Sequence, residues 1–312
     1  MGRFIAIRVL QFPLILAVIY LVTFLLVWVV PGDPFKRTDK NVDPAVIAAL
    51  RERMHATHWY TFLAYYPYEM VRHGNLGPSL TYDAWPVQRI IGDALPVSVE
   101  LGLFALAVAT YIGVAVGTLA AVWRGGLFDW FSLSVALIGI SLPGFVTASA
   151  LFALFAVDLH WFAVGTWGAP RDVLLPGLAL SLAPMAYIAR LTRVAMIDVL
   201  SADYIRTARA KGLSRASVIW KHALRNAFLP VLSYLGPAAA ATLTGSFVVE
   251  KVFNIPGLGT HFVNSIKNRD QTLILGTVMV YSIFLLGLNL LVDIGYTFVD
   301  PRIDLTAREV KA

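Results

Sequence analysis

The chain contains no cysteine and few charges. The first absence excludes disulfides and thiolate metal sites. Asp, Glu, Lys and Arg make up only 14 % of the 312 residues, whereas a soluble domain carries roughly 25 %. The phosphate-loop signature GxxxxGK(S/T) occurs nowhere, and neither does the zinc-protease signature HExxH, so neither chemistry has its usual framework. Long runs lack charge altogether: 9–32, 101–123, 130–157, 173–189, 226–249 and 271–292. A helix rises about 1.5 Å per residue, so roughly 20 residues cross a hydrocarbon core. The runs do not alternate as barrel strands would. The expectation is an all-α membrane protein with six transmembrane helices, the fourth extending past Arg190. The first run is too long for the apolar core of a signal peptide and reads as an uncleaved span.

No acid falls at mid-span. Glu100 reads as lying in the first turn of span two and Asp293 near the end of span six. Proton-relay acids sit deeper, which weighs against a proton-coupled carrier. An ATP-independent secondary transporter would also show an internal inverted repeat, and an intramembrane enzyme a Ser/Lys or paired-Asp constellation; neither is visible.

Positive charge sets the orientation. With the N-terminus inside, the inner segments hold Arg3, Arg8, Arg124, Arg302, Arg308, Lys311 and eight Lys or Arg between Arg190 and Arg225, fourteen in all. The short outer loops hold four: Arg171, Lys251, Lys267 and Arg269. Both termini are expected in the cytoplasm, in a bacterial or archaeal-type inner membrane. The basic balance follows from this topology, so no nucleic-acid partner is implied. Three segments follow: 1–32 with span one, an extracytoplasmic domain 33–95, and a five-span core 96–312 carrying a loop at 198–225.

Local signals refine this picture. Pro31-Gly32-Asp33-Pro34 ends span one. Asp43-Pro44 starts a helix through Met54, and a second covers 58–72, rich in aromatics that suit a membrane interface. Leu95-Pro96 opens span two, which carries Gly113 and Gly117 at GxxxG spacing. That pair marks either a close helix contact or a glycine-tolerant span. Pro143-Gly144 kinks span three near its middle, as an incidental kink or as part of a flexible, pathway-lining helix. His160, in an outer turn, reads as an interfacial polar residue. Arg190 and Arg193 share a helix face; they reach lipid phosphates or line the cytoplasmic mouth. Span five is rich in small residues and gives way at Glu250 to an outer loop through Phe253, Pro256, Gly257 and Gly259, followed by a short helix 260–269. Asp300-Pro301-Arg302 ends span six.

The most telling stretch is Asp203 to Pro230, basic and helical between two apolar runs. It resembles the coupling loop of permease subunits of binding-protein-dependent ABC importers, through Tyr204, Arg206, Thr207, Ala208, Arg209, Ala210, Lys211, Gly212 and Pro230. Nearly the whole chain is similar to the first permease type of dipeptide/oligopeptide/nickel importers. The matching segments are PGDP at 31–34, GNLGPSL at 74–80, 95–102, 190–214, 229–237, FNIPGLG within 245–259, and 289–305. Segment 54–68 departs from the Gly-Leu-Asp-x-Pro-like stretch of that family. The resemblance implies a second, homologous permease, two cytoplasmic ATPase subunits carrying ATP and Mg, and an extracytoplasmic substrate-binding protein. It implies no catalytic, cofactor or metal site in this chain. Asp203 through Gly212 would dock in the ATPase cleft, Ala208 and Ala210 keeping the contact low and Gly212 permitting the turn. The cargo implied is a dipeptide or oligopeptide, with nickel or another small solute as the alternative.

Overall fold

The computed structural model describes residues 2–29, 44–82, 85–163 and 165–299. Apart from one bridge between Pro78 and Pro86, their regular structure is helical. The expected boundaries at Pro31–Pro34, Asp43 and Asp300–Arg302, and the side chain of Asp293, lie outside the described residues.

The long helices are α1 (Gly2–Val29), α4 (Val87–Val122), α7 (Leu174–Ser201), α11 (Leu229–Phe253) and α13 (Gln271–Val299). Helices α2 (Pro44–Arg53) and α3 (Trp59–His73) precede α4, and α5 (Leu127–Ser141) and α6 (Gly144–Leu151, continued as a π-helix over Phe152–Asp158) precede α7. Between α7 and α11 come α8 (Asp203–Ala210), α9 (Arg215–Ser217), a π-helical turn Val218–Ala223 and α10 (Leu224–Ala227); α12 (Leu258–Lys267) precedes α13. By length and composition α1, α4, α7 and α13 can each cross a membrane, and α5 with α6 forms a further candidate span bent by 106°. The remaining expected span, the fifth, corresponds to α11; its 25 residues extend about 37 Å at the helical rise.

Three boundaries differ from expectation. Helix α4 starts at Val87 and runs through Pro96. Its first turns bury Val87, Ile90, Ile91 and Ala94, and that packing outweighs the one backbone bond proline removes. Glu100 therefore sits inside the helix, away from any stabilising N-terminus. Helix α11 continues through Glu250 and Phe253, both buried, and ends where Asn254 turns left-handed (φ +54°). Glu250 and Phe253 are helical residues. Helix α12 begins at Leu258 with Gly257 as N-cap, so Gly259 is a buried helical residue, and of the five residues expected in the outer loop Pro256 alone is exposed.

The chain divides into two compact units. The first contains Met1–Ser98 and Pro256–Leu290. Its core joins Tyr20 and Phe24 of α1 to Phe62 and Tyr66 of α3 and to Leu275 and Met279 of α13. Asp270 organises the loop before α4. One carboxylate oxygen accepts from the Ser79 hydroxyl and from the N–H groups of Leu80 (2.9 Å) and Thr81 (3.0 Å). The other caps α13, accepting from Leu273 N–H and Thr272 Oγ1, each at 3.0 Å. The Tyr66 hydroxyl donates to the Thr272 carbonyl at 3.1 Å. Burial, then the nearby Tyr20 and Asp270, pushes that hydroxyl well above its ordinary range, so it remains a donor.

The second unit contains Val99–Ile255 and Leu291–Pro301. Here α4 lies directly on α7. A Cβ at Gly113 would stand 2.8 Å from the Met185 carbonyl oxygen, and one at Gly117 would collide with that of Ala189. The GxxxG pair is thus a close helix contact, which only residues without a side chain allow.

Candidate functional site

Helix α8 buries two residues, Ile205 and Ala208, three apart on one face. Those two are buried among Met196 of α7, Val218 and Ala223 of the π-turn and Ala227 of α10. Full burial of an Ile side chain contributes about 1.5–3 kcal/mol, which seats α8 on its neighbours. Ala208 therefore packs inward and offers no surface to a partner. Asp203, Tyr204, Arg206, Thr207, Arg209, Ala210, Lys211 and Gly212 are exposed. The Tyr204 hydroxyl accepts a hydrogen bond from Asn226 Nδ2 at 2.8 Å, tying α8 to α10 from the far side.

The turn after α8 has a definite geometry. Gly212 has φ +79°. Its N–H donates to Arg209 O at 3.0 Å, and Leu213 N–H donates to Ala208 O at 3.3 Å. This pair of bonds with a left-handed C′ glycine is a Schellman motif. Two residues on, the Ser214 hydroxyl accepts from Ser217 N–H and caps α9. Lys-Gly-Leu-Ser thus ends one helix and starts the next, holding the exposed face at a fixed angle.

Arg190 is exposed, whereas Arg193 turns to Asp129 in the first turn of α5 rather than to lipid. Its Nε and Nη2 both donate to that carboxylate, the Nη2 bond being 2.8 Å. Gly125 N–H donates to the same group at 2.9 Å. Asp129 was missed in the sequence because its charge simply marks the end of an apolar run.

An open cavity of about 430 Å³ lies between the bend of α5–α6, the middle of α7 and α11. Its lining includes Gly139, Leu142, Phe145, Tyr187, Tyr234 and Val248. Among the described residues no group of three His, Cys, Asp or Glu could hold a metal.

Residues 113–305 match the family described as binding-protein-dependent transport system inner membrane component. The chain belongs to this family, the membrane-embedded permease subunits of ABC importers. It is 42 % identical over 305 residues to the dipeptide transport system permease protein DppB of Bacillus subtilis, covering 98 % of this chain and 99 % of that one. It is 39 % identical over 306 residues to the oligopeptide transport system permease protein OppB of Haemophilus influenzae, covering 97 % and 99 %. In fold it resembles the inward-facing MetNI methionine ABC transporter, with TM-score 0.57 and 16 % identity over 68 % of this chain and 97 % of that chain.

Proposed function

We propose that this permease forms half of a translocation pathway for dipeptides or oligopeptides, and that α8 to α10 carry the drive from a separate ATPase. The observation that bears most weight is the seating of α8: apolar residues inward, an exposed basic face outward, and a Gly212 turn that fixes its direction. A short rigid helix of this kind passes closure of a nucleotide-binding partner into rigid-body rotation of the spans. ATP and Mg belong to two ATPase subunits, a homologous permease completes the pathway, and a binding protein delivers cargo to loop 33–95 and its neighbours outside. Segment 198–225 and both termini face the cytoplasm in this reading. The relatives' names support peptide cargo over nickel or another small solute.

Reconstitution tests the proposal. The purified chain should turn over no ATP alone. With its partners in proteoliposomes, loaded binding protein should stimulate hydrolysis and peptide uptake. Turnover by the isolated chain, or assembly without ATPase subunits, would defeat it. Because the chain lacks cysteine, Leu213→Cys gives a clean topology probe. Its labelling by an impermeant reagent in intact cells would overturn the orientation.

A further inference from the structure

The bend between α5 and α6 leaves backbone acceptors without their helical donors. The last helical bond of α5 runs from Leu142 N–H to Ile138 O at 3.0 Å. The next carbonyl, that of Gly139, would take its bond from residue 143, but Pro143 has no N–H. The carbonyl of Ile140 would take its bond from Gly144. Leu142 is extended (φ −81°, ψ 130°) and the path bends by 106°, so that helical bond is lost as well. Gly139, Ile140, Leu142 and Gly144 all line the 430 Å³ cavity.

Two phenols face the same space. Tyr187 is halfway along α7 and 41 % exposed, and its ring packs on Tyr234 of α11 with centroids 4.2 Å apart. Non-helical backbone at membrane depth persists only where protein buries it or where it lines a water-filled space. A tyrosine exposed at mid-span follows the same logic. This face is therefore turned from the lipid. No Asp, Glu, Lys, Arg or His is among the residues that line it.

We infer that the carbonyls freed at the bend and the hydroxyls of Tyr187 and Tyr234 form a contact station for the N–H groups of a passing peptide. This rests on the peptide-importer reading above. Every peptide carries the same main-chain donors, so the contacts serve many sequences, while Phe145 and Val248 offer apolar wall to side chains. A charge-free lining binds weakly enough to let cargo leave, as conduction requires. It lacks the imidazole and carboxylate ligands a nickel ion would favour.

The test uses the complete complex in proteoliposomes with its binding protein. Leu142→Cys and Phe145→Cys are introduced singly, with Thr147→Cys as a further cavity position should either fail to assemble. A water-soluble methanethiosulfonate should label them, and a transported peptide should slow labelling severalfold. Thiols that stay unreactive, or whose labelling ignores the peptide, would overturn the station. Tyr187→Phe and Tyr234→Phe should each lower uptake kcat/KM about three- to tenfold, the scale of one lost hydrogen bond. The loss should shrink for an amide-N-methylated peptide compared at saturating loaded binding protein. Equal losses for both peptides would remove the hydrogen-bond assignment. Absence of peptide uptake by the wild-type complex defeats the functional reading and the station together. Uptake with unreactive thiols defeats the station alone.

Discussion

Arg193 and Asp129, 64 positions apart, form a two-pronged ion pair that joins α7 to the first turn of α5. The aspartate side chain is only 4 % exposed and the arginine 20 %. Removing one partner of a buried pair strands the other and costs about 3–5 kcal/mol; the partial exposure of Arg193 places this case at the low end. Arg193→Gln should lower the detergent melting temperature by several degrees, and Arg193→Gln with Asp129→Asn should recover most of the loss. Equal melting temperatures for the single and double variants would show that the two residues are not coupled.

Gly212 is left-handed, and a Cβ there would meet nothing within 4 Å. Its substitution therefore tests backbone strain without steric clash. Gly212→Val should cost about 1–2 kcal/mol and tilt α9 against α8, leaving complex yield near normal while weakening ATPase stimulation by loaded binding protein. Gly212→Asn, a residue that visits this conformation, should retain more stimulation. Identical stimulation in both variants would count against the turn as a coupling element.

Asp270 receives five hydrogen bonds, three of them from residues 79–81. Asp270→Ala leaves buried N–H donors unmet, at about 1–3 kcal/mol each. The expected result is a lower melting temperature and faster proteolytic cutting between residues 74 and 82. Wild-type resistance to protease would show that the loop holds its shape without the carboxylate.

His261 gives a pH dependence. Burial lowers its pKa from the ordinary 6.5, and its Nδ1 lies 3.2 Å from the Tyr82 hydroxyl. The unfolded chain thus binds the proton more readily than the folded one. Stability from this group is full above about pH 6.5 and is lost as pH falls through that value toward the lower folded pKa. Melting temperatures measured from pH 7.5 to 5.5 should decline, and His261→Gln should flatten part of the decline. An unchanged slope in the variant would exclude His261 as its source.

Features governed by local rules were legible in the sequence. The interruption of span three followed from Pro143 and Gly144 and the turn after α8 from Gly212, while Gly113 and Gly117 narrowed the reading to a close contact or a glycine-tolerant span. The orientation of Ala208 was available from its three-residue spacing to Ile205, the one large aliphatic residue of the helix. Pro96 misled because a proline inside a packed helix looks like one that starts it. The Ser79–Asp270 and Asp129–Arg193 pairs join residues 191 and 64 positions apart, and no periodicity reports which distant partner a lone acid meets.

The glycine contact along α7 has a mechanical consequence. Helix α7 has 28 residues, about 42 Å at the helical rise, and α8 starts only two residues after its end. With α4 backbone pressed against it at Gly113 and Gly117 and α5 pinned to it at Arg193, α7 has little slack on either flank. On the proposed coupling, a push on α8 would pass along this helix toward the bend beside Pro143, the one bent helix pair among the described residues.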